Sequence, residues 1–119
     1  MSDFNMTSNA ERVLRYMLTN PMDPTWARDI TEHTGLPNGT LLPILTRMLK
    51  QGWLERYWED DFVAESEGRP RRRYYRFTQD GLEGARLALA HWTAEQSARE
   101  FGQSHPKPLR PRVEVNGVE

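Results

Sequence analysis

Apolar positions recur at helical spacing through the first half of the chain. Ala10, Val13, Leu14, Met17 and Leu18 trace one stripe, the mark of an amphipathic helix. Ser8-Asn9-Ala10-Glu11 matches a capping box at its start, with Ser8 as the cap. Asn20-Pro21 ends the helix, because the residue before proline resists helical angles. Thr25 is read as the cap of a second helix from Trp26 to about His33, with Trp26, Ala27 and Ile30 apolar and Gly35 as its stop. After the turn Leu36-Pro37-Asn38-Gly39, a third helix starts between Asn38 and Thr40 and reaches about Gln51, ahead of Gly52. On a helical wheel, Leu41, Leu42, Leu45, Met48 and Leu49 fall on the inner side. Thr40, Pro43, Thr46, Arg47 and Lys50 fall on the outer side. Pro43 lacks an N–H, which predicts a place in the first turn.

The pattern then changes. Trp53–Glu59 and Arg72–Thr78 are aromatic-rich, strand-like runs. Asp60–Arg71 between them holds Gly68 and Pro70, and predicts a hairpin with a long loop. Thr78 caps a last helix from Gln79 to about Phe101. That helix carries two apolar stripes nearly opposite each other. One is Leu82, Ala85, Leu89 and Trp92; the other is Leu87, Ala90, Ala94, Ala98 and Phe101. A helix apolar on two sides needs two partners. One is its own domain, and the second is most simply the same helix of another copy. The predicted fold is mostly α with a small β-hairpin: a winged helix-turn-helix plus a long C-terminal helix. Residues 1–7 are expected to form a disordered arm, 8–78 the winged helix-turn-helix, 79–101 a dimerisation helix and 102–119 a flexible tail.

Composition narrows the chemistry. A chain of 119 residues with 37% hydrophobic and 28% charged residues is an ordinary single-domain globular protein. There is no cysteine, which removes disulfides, thiolate nucleophiles and Cys-based metal sites. His33, His91 and His105 are far apart, with no metal-binding spacing. No phosphate loop or nucleophile elbow is present. An enzyme is therefore not expected, nor a metal or cofactor. No window approaches the ~18 apolar residues of a membrane span. Met1–Met6 lacks the pattern of a secretory signal, so a cytoplasmic, non-membrane protein is expected.

The net charge is −1 from 16 basic and 17 acidic residues, which argues weakly against nucleic acid as a partner. The average conceals a segregation. Residues 1–68 hold 6 basic and 11 acidic groups, whereas residues 69–86 hold 6 basic and 2 acidic. Arg69, Arg71, Arg72, Arg73 and Arg76 lie within eight residues. Such a cluster suits double-stranded DNA, whose phosphates release counterions when cations bind. Arg69 and Arg71, in the loop, are best placed for phosphate or the minor groove, with Arg72 beside them. On the third helix, Asn38 and Thr40 suit phosphates or base edges. Arg47 suits guanine or phosphate, and Pro43, Thr46 and Lys50 complete the exposed face. Asp60, Asp61, Glu65 and Glu67 gather in the wing loop, where they can repel mispositioned DNA.

Two blocks carry a family resemblance. Gly39-Thr40-Leu41-Leu42-Pro43-Ile44-Leu45-Thr46-Arg47-Met48-Leu49 with Gly52-Trp53-Leu54 resembles the recognition-helix segment of PadR-type regulators. Gly68-Arg69-Pro70-Arg71-Arg72-Arg73-Tyr74-Tyr75-Arg76-Phe77-Thr78-Gln79-Asp80-Gly81 resembles that family's wing and the start of its last helix. The resemblance covers roughly residues 8–101. The family usually carries Tyr at the place of Leu42, and His-Gly-Tyr at that of Pro24-Thr25-Trp26. The resemblance implies a homodimeric transcriptional regulator, a repressor on a pseudo-palindromic operator. Its last helix would form the dimer through Leu87, Leu89, Ala90, Trp92, Ala94, Ala98 and Phe101. Small members of the family stack flat aromatic effectors beside a Trp of that helix, which implies such a role for Trp92. A second reading stays open, a winged-helix protein-interaction module that has lost DNA binding. The net charge and Leu42 favour it.

Overall fold

The structure is a computed structural model and describes residues 4–104. The chain forms two compact units, residues 1–89 and 90–119. The first holds α1 (Ser8–Thr19), β1 (Thr25–Trp26), α2 (Ala27–Thr34), α3 (Asn38–Lys50), β2 (Leu54–Trp58), α4 (Asp61–Ser66) and β3 (Arg73–Phe77). The last helix, α5 (Gln79–Ser104), begins in the first unit, and its C-terminal part is the described portion of the second. The flexible-tail reading concerns 102–119, of which 105–119 lie outside the described residues.

Local chemistry sets the helix ends. Thr7, one residue before the expected Ser8, caps α1 by accepting from the Ala10 N–H at 3.1 Å. α1 stops at Asn20, ahead of Pro21. Gly35 closes α2 at φ 78° and donates to the Thr31 carbonyl, a conformation that costs side-chain-bearing residues more. Thr25 does not cap α2. It lies in β1, and Trp26 is the cap residue, with no side-chain bond. α3 starts at Asn38, which places Pro43 in the second turn rather than the first. The cost is one missing N–H, opposite the carbonyl of solvent-exposed Gly39, where water can replace it. Thr78 does cap α5, accepting from the Gly81 N–H at 2.8 Å.

The core lies between the faces of α1, α2 and α3, one side of the sheet and the start of α5. Ala10, Val13, Leu14, Ile30, Leu41, Leu45, Met48 and Ala85 are almost wholly inaccessible. Ile44 is buried, whereas Leu42 is 43% exposed. The inner face of α3 is thus rotated by part of a turn from the expected one, because the wheel alone cannot say where the flanking helices sit. Phe4 and Met6, expected in a disordered arm, pack against this core.

Trp53 joins the elements. Its N–H donates to Met48 O at 3.0 Å, and its carbonyl accepts from Thr78 N–H at 2.9 Å. α5 starts so close to it that a Cβ on Gly81 would fall on the Trp53 backbone. The sheet has three antiparallel strands in the order β1-β3-β2, one more than the expected hairpin. Thr25 faces Tyr75 and Trp26 faces Tyr74 on one side of β3. Leu54 faces Phe77 and Trp58 faces Arg73 on the other. The wing loop is not irregular throughout, since Asp60 caps the short helix α4 by accepting from Phe62 N–H at 2.7 Å.

Candidate nucleic-acid interface

The outer face of α3 presents Pro43, Thr46 and Lys50 to solvent, with Asn38 exposed at its start and Thr40 half-buried. The helix begins without a side-chain cap. Its first N–H groups and the positive end of its dipole therefore favour an anion there. Arg47 sits on the flank of this face and is half-buried. Its Nη1 donates to Asn5 O at 2.7 Å, and its guanidinium lies 4.7 Å from the centroid of Phe4. The Phe4 ring is in turn 4.5 Å from Trp53. Arg47 thereby clips the N-terminal segment to the domain.

The wing arginines fall into two groups. Arg69 reaches back across the wing to Glu59, with Nη1 to Oε1 at 2.6 Å and Nη2 to Oε2 at 2.8 Å. Its Nε also meets Glu67 at 3.0 Å. Glu59 is buried and accepts a further bond from the Arg72 backbone N–H at 3.2 Å. The hydrogen bond from Arg69, opposed by burial and aided by the Arg72 N–H, lowers the Glu59 carboxyl to a pKa of about 2. Arg71 pairs with Asp61 at 3.0 Å and Arg76 with Glu55 at 2.7 Å. Arg72 and Arg73 form no ion pair among the described residues. Each lies over an indole instead, Arg72 over Trp26 and Arg73 over Trp58, both at 4.1 Å.

The fold thus changes the charge picture. Residues 53–78 hold six basic and six acidic groups. The hairpin brings Glu55, Glu59, Asp61 and Glu67 onto the arginine-rich strand and its loop. The wing as a whole is neutral, and α4 carries an exposed Phe62 (75%) directly after Asp60 and Asp61.

Along α5, Ala85 is fully buried, and Leu82 and Leu89 are half-buried, as is Trp92. The second stripe is open. Leu87 is 65% exposed, and Ala90, Ala94 and Ala98 are exposed. The Phe101 side chain lies outside the described residues. Among the described residues, no group of His, Cys, Asp or Glu could hold a metal ion, and no helix is long and apolar enough to cross a membrane.

The sequence profile described as the transcriptional regulator PadR-like family matches residues 26–86, from β1 through the first turns of α5. The chain belongs to the PadR-like family of transcriptional regulators. Solved structures share the fold of this PadR-like regulator at low identity. The smu.1704 protein of Streptococcus mutans UA159 superposes with a TM-score of 0.64 at 18% identity, covering 92% of this chain and all of that one. The PcaV transcriptional regulator of Streptomyces coelicolor, in complex with its natural ligand, gives 0.58 at 23% identity, over 82% of this chain and 62% of that one. Lactococcus lactis ZitR, in complex with DNA, gives 0.51 at 16% identity, over 87% and 64%. No curated protein matches the chain.

Two groups of residues at this site escape a linear reading. Trp26 meets Arg72 only through β1, a strand of two residues that leaves no periodicity to detect. Asn5 and Phe4 meet Arg47 across 42 positions or more of chain. Trp58 and Arg73 were within reach of sequence, since they face each other once the hairpin register is known.

Proposed function

We propose that this PadR-like regulator is a homodimeric repressor that binds a pseudo-palindromic DNA operator and blocks transcription by occupying it. The observation that carries the reading is the exposed polar face of α3 beside a wing whose Arg72 and Arg73 form no ion pair among the described residues. Thr46 and Lys50 read base edges or phosphates in the major groove, with Pro43 against the groove wall and Asn38 and Thr40 at the uncapped helix start. Arg72 contacts backbone phosphate, and Arg71 does so by exchanging its Asp61 partner for one. Arg69 shapes the wing through Glu59, and Arg47 holds the N-terminal segment, so both act on DNA through other residues. ZitR, a structural neighbour, has been solved on DNA, which supports the reading by analogy of fold.

The dimer forms through the second stripe of α5, Leu87, Ala90, Ala94, Ala98 and Phe101, together with Leu89 and Trp92. The exposure of Leu87, Ala90, Ala94 and Ala98 along one side of a 26-residue helix supports this. Trp92 then offers a ring on which a flat aromatic effector stacks. PcaV, a structural neighbour, was solved with its natural ligand, which supports the effector reading by analogy of fold. Selection of bound duplexes from random DNA tests the whole reading. A palindromic motif with a fixed half-site spacing is expected, and no enrichment would refute it.

One observation favours the second reading, a protein-interaction module. The wing is neutral and displays Phe62 beside acidic groups. DNA binding whose affinity falls steeply with salt separates the two, because a protein-only module has no phosphates to neutralise.

A further inference from the structure

We propose that Trp26 is the positioning residue that holds Arg72 ready for a DNA phosphate, which makes β1 a working part of the interface. The inference rests on the DNA-binding reading above and assigns a role that the reading does not need.

The geometry is a row across the sheet. Trp26 and Tyr74 are register partners of β1 and β3, and Tyr57 faces Tyr74 from β2. Side chains alternate along a strand, so Arg72, two residues before Tyr74, shares that face. Its guanidinium lies 4.1 Å from the Trp26 ring centroid, and its Nη1 reaches the Tyr74 hydroxyl at 3.4 Å. Arg73 shares the opposite, core-ward side with Tyr75 and Phe77.

The means of holding matters. Arg69, Arg71 and Arg76 are fixed by carboxylates, which orient a guanidinium but offset its charge with an opposite one. An indole face orients the same group and leaves the charge intact. Arg72 is also short of acceptors. Its side-chain hydrogen bond among the described residues is one long contact from Nη1 to Tyr74, and its Nε is buried, which leaves the terminal nitrogens as the donors a ligand could reach. A pre-oriented cation with unfilled donors suits a phosphate oxygen, since charge-assisted bonds to phosphate are strong and little side-chain freedom is lost in making them. Trp26 thus orients Arg72 as Glu59 orients Arg69, but without a direct ion pair, the Glu59 charge acting on Arg72 only from a longer distance.

The test uses the full chain and a labelled duplex chosen by selection, with affinity measured across a salt series. Arg72→Ala should flatten the slope of log affinity against log salt by about 0.9, the share of one phosphate. Trp26→Leu should flatten it by most of that amount, and Trp26→Phe, which keeps a ring, by much less. The double variant Trp26→Leu/Arg72→Ala should match Arg72→Ala alone. A purely structural Trp26 would lower the folded fraction without changing the slope. Circular dichroism reports whether Trp26→Leu folds. If it does not, the wild-type terminal Nη signals of the Arg72 guanidinium in nuclear magnetic resonance decide, because saturation with duplex should shift them while those of Arg69 stay in place. The inference is overturned if Trp26→Leu keeps the wild-type slope, if the two losses simply add, or if the Arg72 signal ignores DNA. If Lys50→Ala and Arg71→Ala flatten the slope but Arg72→Ala does not, DNA binding stands and the inference alone falls. A wild-type chain without salt-dependent binding sinks both.

Discussion

Arg69 and Glu59 close the base of the wing across ten residues of chain, guanidinium edge to carboxylate edge in two parallel hydrogen bonds. Glu59 also exchanges bonds with the Arg72 backbone, accepting at its carboxylate and donating its own N–H to the Arg72 carbonyl at 2.8 Å. The pair therefore sets where β3 begins and how the arginines after it are presented.

This pair should make the wing acid-sensitive in a defined window. The Glu59 carboxyl is lowered from 4.5 to about 2 in the folded chain. A lowered carboxylate contributes stability that is fully present above its ordinary pKa and is lost as pH falls through the folded value. Thermal melting of the wild type should exceed that of Glu59→Gln by a constant margin above pH 4.5, and the margin should shrink between there and about pH 2. A margin independent of pH would show that the carboxylate charge is not what matters.

Arg47 and Lys50 lie one turn apart on α3 but should behave differently. Arg47→Ala removes the bond to Asn5 and the stack on Phe4. Amide hydrogens of residues 4–7 should then exchange faster, with the order of preferred DNA sites unchanged. Lys50→Ala should leave exchange untouched and reduce the salt slope by about one contact. Thr46→Ala should alter site preference itself, within the about 1–3 kcal/mol of one base contact. Measured exchange and a panel of single-base operator variants separate the three roles.

Gly81 is where α5 meets Trp53 without room for a side chain. Gly81→Ala forces a carbon onto backbone, which cannot swing aside as a flexible side chain can. Destabilisation of about 1–3 kcal/mol is expected from overpacking, despite alanine's better helix propensity. Urea unfolding measures it, and a neutral or stabilised variant would contradict the close approach.

For the dimer, Ala94→Glu is the cleanest probe. Ala94 is exposed in the single chain, so folding should be unaffected. A charge buried without a partner at the seam costs several kcal/mol, and each 1.4 kcal/mol is tenfold in association. Sedimentation should show a dimeric wild type and a monomeric variant. A variant that stays dimeric places the seam elsewhere.

Much of this was legible in the chain order. The spacing of Val13, Leu14 and Met17, the stops at Pro21 and Gly35, and the cap at Thr78 are local facts. They act through backbone sterics and near neighbours, so they survive without tertiary context. The helix–helix–helix–hairpin–helix order follows from them, and so does the winged helix that the family comparison supports. What sequence could not decide is anything that depends on which distant groups meet. The inner face of α3 took Ile44 and left Leu42 outside, because flanking helices, not the wheel, choose the buried side. The two-residue β1 exists only because β3 supplies its hydrogen-bond partners. Most of all, a run of arginines reads as free positive charge in one dimension. Folding laid Glu55, Glu59, Asp61 and Glu67 against it. Coulomb energy depends on distance in space and not along the chain, and so the tertiary structure alone decided that Arg69, Arg71 and Arg76 are in ion pairs, while Arg72 and Arg73 lie over tryptophan rings with no ion pair among the described residues.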